Sequence, residues 1–379
     1  MATSPILRPG PAALRRRPES RAKQTSLTLF PQAARHGNCE SPSGASAPPP
    51  VPDRSEKPAT ELVGIARLAA SSPCAEAKRG TEYFLLPVKS ILNECHSERV
   101  PFRWTVNPYR GCEFGCKYCY ARYTHEYMEL DGGEFETKIY VKQDAGPLAE
   151  RDLGSEKIWG EHIAIGTATD PYQPAEKEFG ATRAILERMA EREGLSLSIT
   201  TKSNQVLRDI DLLQRISAKS ELRVNLSITT LKTRLARMLE PRAPRPDLRL
   251  AAVHALADAG IAAGVFPNPI LPMITDSEES LDALAAAACQ AGAQYFGGGP
   301  LFLMPSAQKI FFPFLEQRFP KLAGPYRKLY ATSAYLGPGY KAQLRERVAR
   351  IRERYGLASA PVEYRPELWE GEEQGTLFP

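Results

Sequence analysis

At 379 residues the chain is long enough to bury one large core or two smaller ones. Its 42% hydrophobic and 25% charged residues suit a globular protein, and no apolar run approaches the roughly 20 residues of a membrane-spanning helix. The net charge of +5 sits at one end: residues 1–60 hold nine Lys and Arg against four Asp and Glu, which leaves 40 of each in residues 61–379. A formally neutral core excludes a broadly basic nucleic-acid-binding domain.

Residues 1–60 also carry 11 of the 33 prolines, including Pro48-Pro49-Pro50, and lack a periodic apolar pattern. They read as a disordered basic leader. Arg15-Arg16-Arg17 is followed by no apolar stretch, so an export signal is not expected and the cytoplasm is.

The most informative run follows: Asn107-Pro108-Tyr109-Arg110-Gly111-Cys112-Glu113-Phe114-Gly115-Cys116-Lys117-Tyr118-Cys119-Tyr120. Thiolates are soft ligands for iron–sulfur clusters or zinc. Three on one short loop can hold three corners of a cluster and leave the fourth iron open. The rival is a Cys3His zinc site with His125 as the fourth ligand, in a non-catalytic interaction module. A disulfide would leave one thiol odd.

From residue 135 short β-type runs alternate with helical ones. Strands are expected at Lys138–Lys142, 162–166, 197–201, 223–228, 262–266 and 294–297. Helices are expected near 146–153, 175–192, 204–216, 247–259 and 277–291. Ser203 or Asn204 is a candidate cap for the third, and Asp276 with Glu279 for the last. Strands alternating with helices imply a parallel sheet, about six strands long. Ligands in such folds lie at the carboxyl ends of the strands. Polar residues stop four of these runs: Thr167 to Asp170, Lys202-Ser203, Thr229-Thr230 and Asn268. A long βα array also disfavours a small zinc module. Beyond residue 300 the pattern is helical, at 308–319, 326–335 and 340–355. The last helix is basic and reads as solvated.

The cysteine run resembles the Cys-x3-Cys-x-aromatic-Cys signature of radical S-adenosylmethionine (SAM) enzymes, with Tyr118 as the aromatic. Four further segments, in order, resemble the spore photoproduct lyase-like (DNA repair photolyase-like) branch: Thr169-Asp170-Pro171-Tyr172-Gln173-Pro174, Thr201-Lys202-Ser203, Ser227-Ile228-Thr229-Thr230 and Glu240-Pro241-Arg242. So does Asn107 to Gly111. The likeness spans about residues 85–300. It implies a partial (β/α)6 barrel there, a helical extension over 301–360 and a flexible tail over 361–379.

It also implies a 4Fe-4S cluster on Cys112, Cys116 and Cys119, reductive cleavage of SAM to a 5′-deoxyadenosyl radical, and an external flavodoxin- or ferredoxin-type electron donor. Tyr118 would face the adenine, Lys202 the SAM carboxylate, and Ser227 would offer a hydrogen bond. Asp170 would line the site with Tyr172, Gln173 and Glu176. Glu240 and Arg242 would close over SAM or substrate, and Arg245 and Arg249 would add a cationic rim. His125, His162 and His254 read as structural. The substrate is not named by these residues, and a nucleic-acid lesion is compatible with them. One departure stands out: photoproduct lyase has a hydrogen-donating cysteine where Thr167 aligns. The tail residues Gln374-Gly375-Thr376-Leu377-Phe378 weakly resemble a sliding-clamp-binding pentapeptide, as do Ser26 to Phe30.

Overall fold

The computed structural model describes residues 61–78, 80–97 and 100–359. The basic leader, the tail and both pentapeptide-like segments lie outside the described residues. Seven strands form the larger sheet, in the order Tyr295–Phe296, Ala263–Phe266, Glu221–Ser227, Ser196–Thr201, His162–Ile165, Trp104–Val106 and Leu92–Glu94. The first six of these are mutually parallel, and Leu92–Glu94 pairs antiparallel with Trp104–Val106. Chain order and spatial order coincide across the parallel strands. Every crossover therefore steps the same way, and right-handed crossovers then place their helices on one face.

The sequence pattern says why that face is buried. Ile163, Ile165, Leu197, Ile199, Val224, Leu226 and Val265 leave alternate strand positions and are buried in one cluster with Ile185, Leu186, Leu213, Leu256 and Leu284 of the helices. The intervening residues make the other face polar. His162 Nδ1 and Nε2 lie 2.8 Å from the hydroxyls of Ser196 and Ser198. Asn225 donates to Thr200 Oγ1 at 3.1 Å and accepts from Tyr295 Oη at 2.7 Å.

The count of six parallel strands agrees with the sequence reading, but its first member differs. Lys138–Lys142 belongs to a second sheet, ordered Cys74–Lys78, Thr81–Leu86, Lys138–Lys142 and Tyr109–Arg110. It pairs parallel with Thr81–Leu86 and antiparallel with Tyr109–Arg110. The place expected for it is taken by Trp104–Val106, a run too short to carry a local signal.

Other boundaries also move. The helix expected over 175–192 is two, Glu176–Phe179 and Ala181–Met189, separated at Gly180. Helix Glu278–Gln290 is capped by Ser277, whose hydroxyl accepts from the Ser280 amide, and not by Asp276. Asp276 instead accepts from the Tyr340 hydroxyl at 2.7 Å.

The carboxy-terminal helices are Pro305–Arg318, Pro320–Leu329 and Pro338–Arg354, each opened by a proline at its first turn. The second replaces the one expected over 326–335. Helix Pro338–Arg354 buries Leu344, Val348 and Ile351 in the main core. Arg354 and Tyr355 both bind Asp282, so part of its basic surface is paired within the chain. Beyond it, Ala358 bridges Tyr295 and its carbonyl accepts from Phe296 N, which covers the edge of the last strand.

Close packing makes one strand glycine obligatory. A Cβ on Gly264 would lie 2.1 Å from Cε2 of the buried Tyr295 ring. Gly264→Val should lower stability by roughly 2–3 kcal/mol through overpacking, read as a lower urea midpoint.

Candidate active site

The cysteine run has little hydrogen-bonded ladder of its own and is held from three sides. Gly111 turns it at φ +85°, where a Cβ would fall 2.6 Å from the Lys138 carbonyl oxygen and 2.9 Å from that of Phe135. Only glycine fits that approach. The Cys112 amide then donates to Phe135 O at 2.9 Å. From the loop after the second parallel strand, Thr169 Oγ1 and Gln173 Nε2 donate to Gly111 O at 2.6 and 3.1 Å. Gln173 Oε1 accepts from the Glu113 amide, and the Glu113 carboxylate accepts from Ala175 N at 2.8 Å and Tyr83 Oη at 3.0 Å.

The third side comes from the segment after helix Thr233–Leu239. Leu239 O accepts from Lys117 N at 2.9 Å, and Arg242 N donates to Phe114 O at 3.2 Å. The Arg242 guanidinium donates to the carbonyls of Glu113 and Glu136 at 3.3 and 3.2 Å. Arg122, shut off from solvent, donates to Gly132 O at 2.9 Å, to Glu136 Oε2 at 2.5 Å and to Cys116 O at 3.2 Å.

Cys112 and Cys116 are buried and Cys119 is half-buried. Burial pushes all three thiols up, Cys116 to about 12, and Cys112 is raised further by Asp170 and by the other two cysteines. Lys202 acts in the opposite direction on Cys116 and Cys119. Thiols in such a place ionise at neutral pH when a metal supplies the compensating charge.

A tetrahedral zinc site of this kind needs a fourth side-chain ligand, which the sequence offers only as His125, whereas a cluster gives each thiolate its own iron. His125 is engaged elsewhere: its Nε2 lies 2.9 Å from Lys138 O, its ring stands edge-on to Phe135, and burial pushes it down to about 4.

Above the loop lies a buried polar network. The Tyr118 hydroxyl and Thr229 Oγ1 both donate to Glu240 Oε1, the latter at 2.7 Å, while Arg249 donates to Glu240 Oε2 at 2.5 Å. Arg249 also donates to Ser227 O at 2.9 Å and Pro244 O at 2.8 Å. Burial alone would raise the Glu240 carboxyl, but Arg249 and Lys202 hold it below its ordinary range.

Lys202 Nζ stands 5.9 Å from the centroid of the Tyr118 ring. Burial pulls this ammonium down, and Cys116 and Glu240 more than offset it, for a net upward shift. No carboxylate forms an ion pair with it among the described residues. Its backbone is set by Asp170, whose Oδ2 accepts from Lys202 N at 2.7 Å and whose Oδ1 accepts from Thr201 Oγ1 at 2.6 Å and Tyr172 N at 3.0 Å.

The structure thus gathers Tyr118, Lys202, Ser227, Asp170 and Glu240 at the carboxyl ends of neighbouring strands. It gives Asp170 a positioning task. The expected cationic rim is absent: Arg242 clamps the cysteine loop, Arg249 is buried on Glu240, and the exposed Arg245 pairs with Asp247 at 2.6 Å. A guanidinium shut from water must find a carboxylate and carbonyls, whatever its neighbours in sequence. Tyr172 and Glu176 also turn away from the rim: Glu176 takes Arg208 at 2.7 Å, and both residues are buried. Sequence reasoning missed Arg122, Glu113 and the polar strand face, whose only local signal was polar residues inside apolar runs. Thr167 Oγ1 accepts from Asn107 Nδ2 at 2.9 Å, and its carbonyl accepts from Tyr120, which packs against Phe302.

The description "Radical SAM superfamily" matches residues 106–285, which begins at the last residue of Trp104–Val106 and takes in the cysteine loop and the next four parallel strands. Uncharacterized protein Rv2578c of Mycobacterium tuberculosis is 36% identical over 331 residues, covering 85% of this chain and 94% of that protein. The chain belongs to the radical SAM superfamily. Uncharacterized protein MJ0683 of Methanocaldococcus jannaschii is 32% identical over 219 residues, 58% of this chain and 77% of that one. Among solved structures, a spore photoproduct lyase mutant with bound AdoMet and dinucleoside spore photoproduct superposes with a TM-score of 0.55 at 17% identity, covering 79% of this chain and 87% of that chain. Spore photoproduct lyase complexed with the dinucleoside photoproduct gives 0.55 at 18% identity over 72% of this chain and 80% of that one. At these identities the likeness is one of fold. Membership makes this chain a radical SAM enzyme and implies a 4Fe-4S cluster and SAM as its cofactors.

Removing one half of the buried pair in this radical SAM enzyme should be worse than removing both. Glu240→Ala is expected to cost roughly 3–5 kcal/mol by stranding Arg249, and Glu240→Leu with Arg249→Met clearly less, both read from urea unfolding. Because the Glu240 carboxyl is held low, its contribution is present above the unfolded value of 4.5 and fades as pH falls through the folded one. Below that range the double variant should lose less stability than wild type.

Proposed function

We propose that Cys112, Cys116 and Cys119 hold three irons of a 4Fe-4S cluster and leave the fourth for the amino and carboxylate groups of SAM. The observation that carries this reading is three thiols on one clamped loop, at the carboxyl ends of the parallel strands, beside a Lys202 ammonium that has no ion pair among the described residues. A cluster held by these residues would supply one-electron reduction of the SAM sulfonium, which would give methionine and a 5′-deoxyadenosyl radical able to take hydrogen from the substrate.

The chain's own residues orient and enclose. Lys202 offers its ammonium to the SAM carboxylate, from a backbone that Asp170 fixes. Tyr118, pinned by Glu240 and Thr229, sets an aromatic wall for the adenine. Ser227 adds a hydroxyl whose strand position Arg249 secures through its carbonyl. Arg242 keeps the loop backbone in place. An external flavodoxin- or ferredoxin-type protein provides the electron.

The photoproduct bound in the structural neighbour makes a nucleic-acid lesion one substrate to test. Thr167, at the position aligned with the hydrogen-donating cysteine of photoproduct lyase, offers a hydroxyl in place of a thiol. A different termination of the substrate radical is therefore favoured over that enzyme's route.

Anaerobically reconstituted protein should carry about four irons per chain and release 5′-deoxyadenosine from SAM under dithionite. Alanine at any of the three cysteines should abolish both. Lys202→Met should keep the iron and raise the SAM KM roughly tenfold or more, with a smaller change in kcat. An intact cluster that yields no 5′-deoxyadenosine overturns the proposal.

A further inference from the structure

Several charged side chains buried among the described residues are answered by an opposite charge: Arg122 by Glu136, Arg249 by Glu240, Glu176 and Asp209 by Arg208. The smaller sheet holds two adjacent cations that are not. Arg110 lies directly opposite Tyr140 in the antiparallel pair, and Lys142 is two residues further along the same strand. Their side chains therefore leave the same sheet face as diagonal neighbours, within reach of one another for residues this long. Lys142 is withdrawn from water and Arg110 partly so. Lys142 is 5% exposed, and Arg110 is partly buried with its Nε fully enclosed and without a hydrogen-bond partner. Among the described residues neither side chain has an ion pair or a hydrogen bond.

The groups around them do not supply the missing charge. Asp152 is the acid whose field reaches Lys142, but its Oδ2 already accepts from Ser90 Oγ at 2.7 Å, Ile91 N at 2.8 Å and Leu92 N at 3.3 Å, and its Oδ1 takes Arg151. Tyr123 faces Arg110 as a neutral phenol, its ionisation pushed up by burial. His125 is neutral and bound through Nε2 to Lys138 O. Burial, with Arg110 adding to it, pushes Lys142 down to about 7, the direction taken by an ammonium that lacks a counter-ion.

We propose that Arg110 and Lys142 form a binding site for a phosphate group. Two adjacent cations match a dianion better than a singly charged carboxylate, and a planar guanidinium with a free fork is suited to tetrahedral oxyanions. The bound group would join strand Tyr109–Arg110 to Lys138–Lys142 immediately ahead of Cys112. The site is separate from the SAM reading above, and its test uses no SAM chemistry.

Anaerobically purified full-length protein is titrated by calorimetry with inorganic phosphate and, separately, with a nucleoside 5′-monophosphate, against sodium chloride at matched ionic strength. Saturable heat with one equivalent of either phosphate, absent with chloride, is expected. Arg110→Gln and Lys142→Met should each weaken that binding roughly tenfold or more. Stronger binding of the nucleotide would mark the phosphate of a larger ligand, and equal binding a site for the free ion. Thermal unfolding of each variant reports whether it is folded, and one folded variant suffices. Wild-type heat no different from chloride, or undiminished binding in a folded variant, overturns the proposal.

Discussion

A loop that must present three thiols at fixed spacing cannot hold itself, because it makes almost none of the repeating backbone bonds that stiffen helices and strands. Several of its amides and carbonyls are satisfied instead by groups distant in sequence, from Gln173, 60 residues away, on one side and Arg242, 129 residues away, on the other. Every other feature of the site follows from this requirement. The strand ends must be adjacent for those groups to arrive together, and a singly wound parallel sheet makes them so.

The same economy explains the buried charges. Glu240 and Arg249 would each be costly alone, and each becomes tolerable because the other is there and because two carbonyls complete the bonding of Arg249 and two hydroxyls that of Glu240. The pair in turn fixes Tyr118 and the carbonyl of Ser227, so one ion pair aligns the third cysteine's neighbour with the fourth parallel strand. Arg122 does the equivalent work beneath the loop through Glu136 and the Cys116 carbonyl. Against that background the unanswered Arg110 and Lys142 stand out as chemistry directed at something outside the chain.

Much of this was legible in local sequence. The cysteine spacing is a short-range pattern, and the polar residues that end apolar runs mark strand ends because burial stops there. Lys202 and Thr229 were found in that way. The rim was misread because Arg242, Arg245 and Arg249 look like one basic cluster along the chain. In space they separate to a loop backbone, an exposed Asp247 and a buried Glu240. Lys138–Lys142 was assigned to the wrong sheet for a related reason: its apolar run announces a strand, and nothing in the run names its partners.

The sequence by itself determined the donor set, the alternation of strand and helix and the residues that close each strand, since these depend on neighbours a few positions apart. Only the tertiary structure decided which strand leads into the cysteine loop, which arginines are buried and which cations lack a partner. Those outcomes depend on which groups share a volume from which water is excluded, and that volume is assembled from distant parts of the chain.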